Sequence, residues 1–109
     1  GDFVIKGLAN LLKHRLRKTD SIGRYGGEEF IVALPECTME LAQSLLESVC
    51  RDFSRIEFKG SGGDFRVTLS VGLASLPGYE SSEDAIEAAD RALYERKESG
   101  RNGVTAVSP

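Results

Sequence analysis

Phe65, Val67, Leu69, Val71 and Leu73 alternate with Arg66, Thr68, Ser70 and Gly72. Successive side chains on a strand point to opposite faces, so this stretch predicts a half-buried strand over 65–73. Helical stripes stand on both sides of it. Leu41, Leu45, Val49 and Phe53, widened by Ala42 and Leu46, recur at the spacing of one helix face. Thr38 is placed to cap that helix, with Glu40 near its positive end. Ile86, Ala89 and Leu93, flanked by Ala92, predict another helix. Ser81 and Asp84 have the spacing of a capping pair at its start, and Gly100 suits its end. A strand held between two amphipathic helices already requires a layered, mixed fold.

The remaining segments complete the order. Val4, Leu8, Leu11, Leu12 and Leu16 predict a helix over 3–18, whose last turns are rich in basic residues, as the helix dipole favours. Ile22–Tyr25 and Phe30–Leu34, joined through Gly26-Gly27 and closed by Pro35, predict a β-hairpin. Gly60–Asp64 reads as a loop, Pro77-Gly78 as a turn and Val104–Val107 as a last short strand. The expected architecture is α+β, with helices packed on a largely antiparallel central sheet.

Composition narrows the function classes. The chain has 109 residues, and its 14 Lys and Arg against 17 Asp and Glu give a net charge of −3. That length suits one domain, 1–109, able to bury roughly two-thirds of the surface its unfolded chain exposes. The acidic balance argues against a nucleic-acid polymer as partner, and so does the aromatic content of three Tyr, five Phe and no Trp. No apolar run approaches the ~18 residues of a membrane span, and Gly1-Asp2-Phe3 lacks a signal-peptide pattern. Cys37 and Cys50 have no metal-type spacing and read as free buried thiols of a reducing cytoplasm. His14, in the basic half of the first helix, reads as a surface residue.

The densest chemical cluster is Arg24-Tyr25-Gly26-Gly27-Glu28-Glu29-Phe30. Two glycines without side chains let a phosphate approach the backbone, and two carboxylates follow at once. A hard divalent cation takes one or two carboxylates plus substrate phosphates, which is what such a cluster offers. Taken alone, a Gly-Gly turn with acidic neighbours is usually only a turn. Lys97 and Arg101 lie four apart, a spacing that places two cations on one helix face toward a polyanion. An ordinary solvated basic helix end has the same spacing. Arg17 and Asp20 are three apart. They fit a local ion pair worth under about 1 kcal/mol, or a guanine site in which Arg donates to O6 and N7 and Asp accepts.

Several of these motifs, in this order and spacing, resemble the GGDEF family of diguanylate cyclases in its Glu variant. Arg17-Lys18-Thr19-Asp20 resembles the family's RxxD motif, and Gly26–Phe30 its signature turn. Thr68–Ala74 is similar to its later core strand. Ala89–Tyr94, Lys97 and Gly100-Arg101-Asn102 are similar to its C-terminal helix and exit. The resemblance implies a bacterial, cytoplasmic signalling enzyme of nucleotidyl-cyclase palm, ferredoxin-like fold. It condenses two GTP into cyclic di-GMP with release of pyrophosphate, using Mg²⁺ or Mn²⁺ across a homodimer. It implies that Glu28 is a metal ligand and catalytic, with Glu29 beside the reacting hydroxyl. Gly26 and Gly27 lie against the nucleotide, Asp2 accepts from guanine, and Lys97 and Arg101 hold the triphosphate. Arg17 and Asp20 form an allosteric site for product.

The chain departs from the family at its start. The family's Asp-x-Leu-Thr-Gly-Leu-x-Asn-Arg segment, its first strand and its second metal-binding Asp are absent from the 109 residues. The expectation is therefore an N-terminally truncated GGDEF domain lacking a central strand, inactive in isolation. In the parent protein a sensor or receiver domain is expected to precede it, and the domain itself makes no membrane contact. The competing reading is a catalytically inert module that binds cyclic di-GMP through Arg17 and Asp20.

Overall fold

The structure, a computed structural model, describes residues 2–18, 20–24, 30–34, 37–75 and 78–107. Among them three helices and four strands follow the predicted order. Helix α1 spans Asp2–Arg15, shorter than the predicted 3–18. Its end has a local cause. Leu16 N–H still bonds back to Leu12 O at 2.9 Å, but the next amide, Arg17 N–H, donates to the Asp20 carboxylate at 2.8 Å. An Asp side chain that captures a backbone donor competes with the helix, and here it ends it.

Strands β1 (Ser21–Arg24) and β2 (Phe30–Ala33) pair antiparallel, Ser21 opposite Ala33 and Arg24 opposite Phe30, as the hairpin reading required. Tyr25 and Pro35, at its predicted turn and end, lie outside the described residues, as does Pro77.

Helix α2 spans Met39–Ser54. Thr38 Oγ1 accepts from Leu41 N–H at 3.2 Å, so the predicted cap is formed. Its buried face is Ala42, Leu46, Val49, Cys50 and Phe53, and Leu41 stands 63% exposed. The expected stripe through Leu41 and Leu45 is thus rotated by one position. The reason is that α2 serves two clusters. Val49 and Phe53 join Leu8 and Leu12 of α1, while Leu46 and Cys50 pack on Val104. Two leucine-containing stripes of equal period stood side by side in the sequence, and tertiary packing chose between them.

The alternating stretch divides. Phe58 and Phe65 form an isolated antiparallel bridge with backbone bonds of 2.8 and 2.9 Å, closing the predicted 60–64 loop. Phe65 stacks on Phe58 at 5.7 Å, and Phe58 meets Phe53 edge-on at 5.9 Å. Val67 and Leu69 pack against the first cluster. Strand β3 itself is confined to Ser70–Ala74. The alternation reports real packing on one side, but a ladder forms only where a partner strand lies alongside.

That partner is β4, Gly103–Val107, which runs parallel to β3 with Ser70 opposite Gly103 and Ala74 opposite Val107. Helix α3 (Ser82–Glu98) connects the two, and a helical crossover returns the chain in the same direction, hence the parallel pairing. The α+β class holds. Within it the described strands form one antiparallel and one parallel pair, where a largely antiparallel sheet was expected. Ser81 caps α3 through its hydroxyl, which accepts from Asp84 N–H at 3.1 Å. The helix buries Ala85, Ala88 and Ala92, while the predicted Ile86, Ala89 and Leu93 are half-buried. Small residues face β3 because the approach is very close: a Cβ on Gly72 would lie 2.0 Å from Ala89 O.

Cys50 is buried and Cys37 half-buried, both as free thiols. Burial, with Glu47 nearby, pushes the Cys50 thiol up to about 11. His14 is exposed and its Nδ1 lies 2.8 Å from Asn10 O. Among the described residues no helix is long and apolar enough to cross a membrane.

Candidate functional site

The turn that ends α1 holds the first pair of candidate residues, Arg17 and Asp20. Asp20 N–H donates to Arg17 O at 3.0 Å, and the Asp20 carboxylate accepts from Arg17 N–H. The Asp20 side chain is 1% exposed, whereas that of Arg17 is 54% exposed. A buried carboxylate must be satisfied, and the backbone amide does most of that here. The Arg17 guanidinium approaches the same carboxylate only at 3.5 Å through Nε and Nη2, the outer limit of a hydrogen bond. Arg17 and Asp20 are therefore brought together, with the acid fixed by the turn and the guanidinium directed by it.

Both residues line a cleft of about 250 Å³, with Arg15, Leu34, Cys37, Leu41 and Leu45. Arg15 donates to Ser48 Oγ at 2.6 Å and to the Asp52 carboxylate, which ties the end of α1 to α2 and fixes one wall. The leucines supply an apolar wall, and this is where the exposed Leu41 belongs. The reading of the sequence passed over Arg15. Its signal was its place in the basic last turn of α1, two residues before Arg17. A larger recess, about 510 Å³, runs along the outer face of α3 between Glu87, Asp90, Arg91, Tyr94 and Glu95. It is formed by one helix and contains none of the predicted residues.

The second pair of candidate residues lies at the end of α3. Lys97 is exposed in the last helical turn. Arg101 is also exposed, but it does not share the helix face that the four-residue spacing implied. The helix stops at Glu98, Ser99 caps it, and Gly100 takes a φ of +123°. Arg101 N–H then donates to Arg96 O at 2.8 Å, the long-range bond of a Schellman ending. Arg101 and Asn102 continue with φ of +61° and +39°. Arg101 thus projects from a left-handed turn beyond the helix, because the glycine that ends the helix lies between the two cations. Arg96, also passed over in the sequence, reaches from α3 to β4. Its Nε donates to Thr105 Oγ1 at 3.0 Å and its Nη2 to Val104 O at 3.1 Å.

Asp2 is the first residue of α1. Gly26, Gly27, Glu28 and Glu29 lie outside the described residues; Arg24 and Phe30, which bracket that segment in sequence, are paired. Among the described residues no group of three or more His, Cys, Asp or Glu could hold a metal. The donor chemistry of the Glu28 cluster, hard carboxylate oxygens, nonetheless suits Mg²⁺ or Mn²⁺.

Residues 1–103 match the family model described as diguanylate cyclase, GGDEF domain. The chain is 40% identical over 102 residues to diguanylate cyclase DgcP of Pseudomonas aeruginosa, covering 94% of this chain and 15% of that protein. Its fold is similar to the GGDEF domain of DgcB from Caulobacter crescentus, solved in complex with c-di-GMP. The TM-score is 0.88 at 35% identity, over 96% of this chain and 63% of that one. It is also similar to the active GGEEF domain of a diguanylate cyclase from Vibrio cholerae, with a TM-score of 0.87 at 32% identity, over 96% and 67%.

Proposed function

This chain belongs to the diguanylate cyclase GGDEF-domain family, and from that premise we propose that it forms the part of a cyclase that condenses two GTP into cyclic di-GMP and senses the product. The observation that carries the reading is the Arg17–Asp20 cleft. A guanine presents O6 and N7 as acceptors and N1 and N2 as donors. Arg17, largely exposed, supplies donors to the first pair, and the Asp20 carboxylate, buried behind it, accepts from the second once the Arg17 guanidinium turns to the base. At about 250 Å³ the cleft is smaller than a typical pocket for a whole ligand of drug size, so it grips one end of the dinucleotide.

In the same reading Glu28 holds Mg²⁺ or Mn²⁺, and Glu29 stands beside the reacting hydroxyl. The bound cation supplies charge neutralisation at the phosphates. Gly26 and Gly27 admit the nucleotide against the backbone, and Asp2 accepts from guanine. Lys97 from the last turn of α3 and Arg101 from the turn beyond it neutralise the triphosphate. Transfer of this kind rests on positioning and charge rather than on a protein nucleophile. Two subunits, each holding one GTP, complete the reaction, and the domain works in the cytoplasm under a sensor or receiver domain. The competing reading, an inert module that binds only cyclic di-GMP, shares the Arg17–Asp20 cleft and differs in turnover.

Calorimetric titration with cyclic di-GMP tests the cleft. Binding by the native chain, weakened about ten-fold or more in Arg17→Ala, is expected from loss of a charge-assisted base contact worth roughly 1–3 kcal/mol. Equal affinity of the two proteins would remove the cleft from the account.

A further inference from the structure

We infer that Arg96 is a positioning residue, which holds Arg101 in its outward, left-handed pose by clamping the end of α3 to β4. The inference rests on the reading of Lys97 and Arg101 as triphosphate-binding cations. Gly100, Arg101, Asn102 and Gly103 all have positive φ, from +39° to +147°. For a residue with a Cβ that conformation is unfavourable, and it persists only where the surroundings over-determine it. Arg96 acts on both ends of this turn. Its carbonyl accepts Arg101 N–H at 2.8 Å and the Ser99 hydroxyl at 3.3 Å. Its guanidinium crosses to Thr105 Oγ1 and Val104 O, just beyond the turn. It passes directly over Gly103: a Cβ there would lie 3.3 Å from Nη1. Gly103 N–H is in turn held by Leu69 O at 2.9 Å.

The geometry also assigns Arg96 a role different from its neighbours. Its fork is turned inward to β4 and engaged with two acceptors, while Lys97 and Arg101 are exposed. Without the clamp, the turn samples poses in which Arg101 no longer meets a triphosphate beside Lys97. Apparent affinity falls in proportion to the population that remains competent. Lysine, a point charge without a planar fork, restores the clamp only in part.

The test compares the native chain with Arg96→Ala, Arg96→Lys, Thr105→Val, Lys97→Ala and Arg101→Ala. Each is titrated with GTP and with GMP in Mg²⁺, and amide hydrogen exchange is followed at Arg101 and Gly103. Arg96→Ala is expected to speed exchange at both amides and to weaken GTP binding about ten-fold, with GMP binding unchanged. Thr105→Val, which removes one acceptor of the clamp, should show a smaller change in the same direction, and Arg96→Lys should fall between native and Arg96→Ala. Equal loss for GTP and GMP would mean a general structural role and overturn the inference. So would a folded Arg96→Ala, or a Thr105→Val should Arg96→Ala not fold, with native exchange and native GTP affinity. If Lys97→Ala and Arg101→Ala bind GTP as the native chain does, or the native chain binds none, the triphosphate reading fails and the positioning role with it. Faster exchange in Arg96→Ala would then show that the clamp exists without that purpose.

Discussion

Gly72→Ala measures how tightly α3 is set on β3. A Cβ at residue 72 would stand 2.0 Å from Ala89 O, 2.5 Å from Leu93 N and 3.0 Å from Leu93 Cα. These are backbone atoms of α3, so no side-chain rotation relieves the clash. Separations below 3.0 Å are not found for real Cβ atoms, so the helix must retreat by about 1 Å, the difference between 3.0 and 2.0. A gap of 0.5–1 Å forfeits roughly a quarter to a half of each dispersion contact it opens. The contacts at risk are those of Ala85, Ala88 and Ala92, small side chains that cannot extend to refill the space. Overpacking usually costs about 1–3 kcal/mol, and the rigid obstacle places this substitution at the upper end. With a urea slope of about 1–3 kcal/mol per M, the unfolding midpoint should fall by roughly 1–3 M. Gly62→Ala is the control, because a Cβ there meets nothing within 4 Å. It should leave the midpoint unchanged or raise it slightly. A Gly72→Ala midpoint within about 0.3 M of native would refute the close approach, and with it the account of why α3 presents alanines.

Further expectations concern the caps and thiols. Ser81→Ala removes the acceptor for Asp84 N–H and should lower stability by about 1 kcal/mol in urea unfolding, with Ser81→Thr nearly native. Cys37, half-buried, should react with an alkylating reagent in the folded chain well before Cys50, as peptide mass mapping would show; equal rates would contradict the burial of Cys50. The Cys50 thiol is raised from 9.0 to about 11, so the folded chain holds that proton more tightly than the unfolded one. Its contribution to stability is complete below pH 9 and is lost as pH rises toward and through 11. Melting temperature should fall across that window, less steeply in Cys50→Ala, and identical slopes would remove the thiol as a cause.

What the sequence made legible was governed by local rules. Thr38 and Ser81 cap their helices as their spacing required, and β1 and β2 pair antiparallel as the two apolar runs led one to expect. What it hid was decided by neighbours distant in sequence. Leu41 or Ala42 as the inward position of α2 depended on Val104 lying against Leu46 and Cys50. Strand β3 shortened to Ser70–Ala74 because β4 pairs only there. For the site, the Arg17–Asp20 pairing was readable from spacing. The position of Arg101 was not, since a face argument assumes a helix that Gly100 had already ended. Arg15 and Arg96 went unnoticed because a basic residue in a last turn looks alike whether it faces solvent or crosses to another element.

Turnover in a complete cyclase frame decides whether these residues support catalysis. Residues 1–103 are placed in the frame of DgcP, replacing its matched segment, and cyclic di-GMP formed from GTP and Mg²⁺ is quantified by mass spectrometry. Product is expected from the hybrid, none from its Glu28→Gln form, and from Arg17→Ala sustained formation with relief of inhibition by product. A folded hybrid that makes no product, or a Glu28→Gln hybrid that makes it normally, would contradict the account; the first result would favour the inert cyclic di-GMP-binding module.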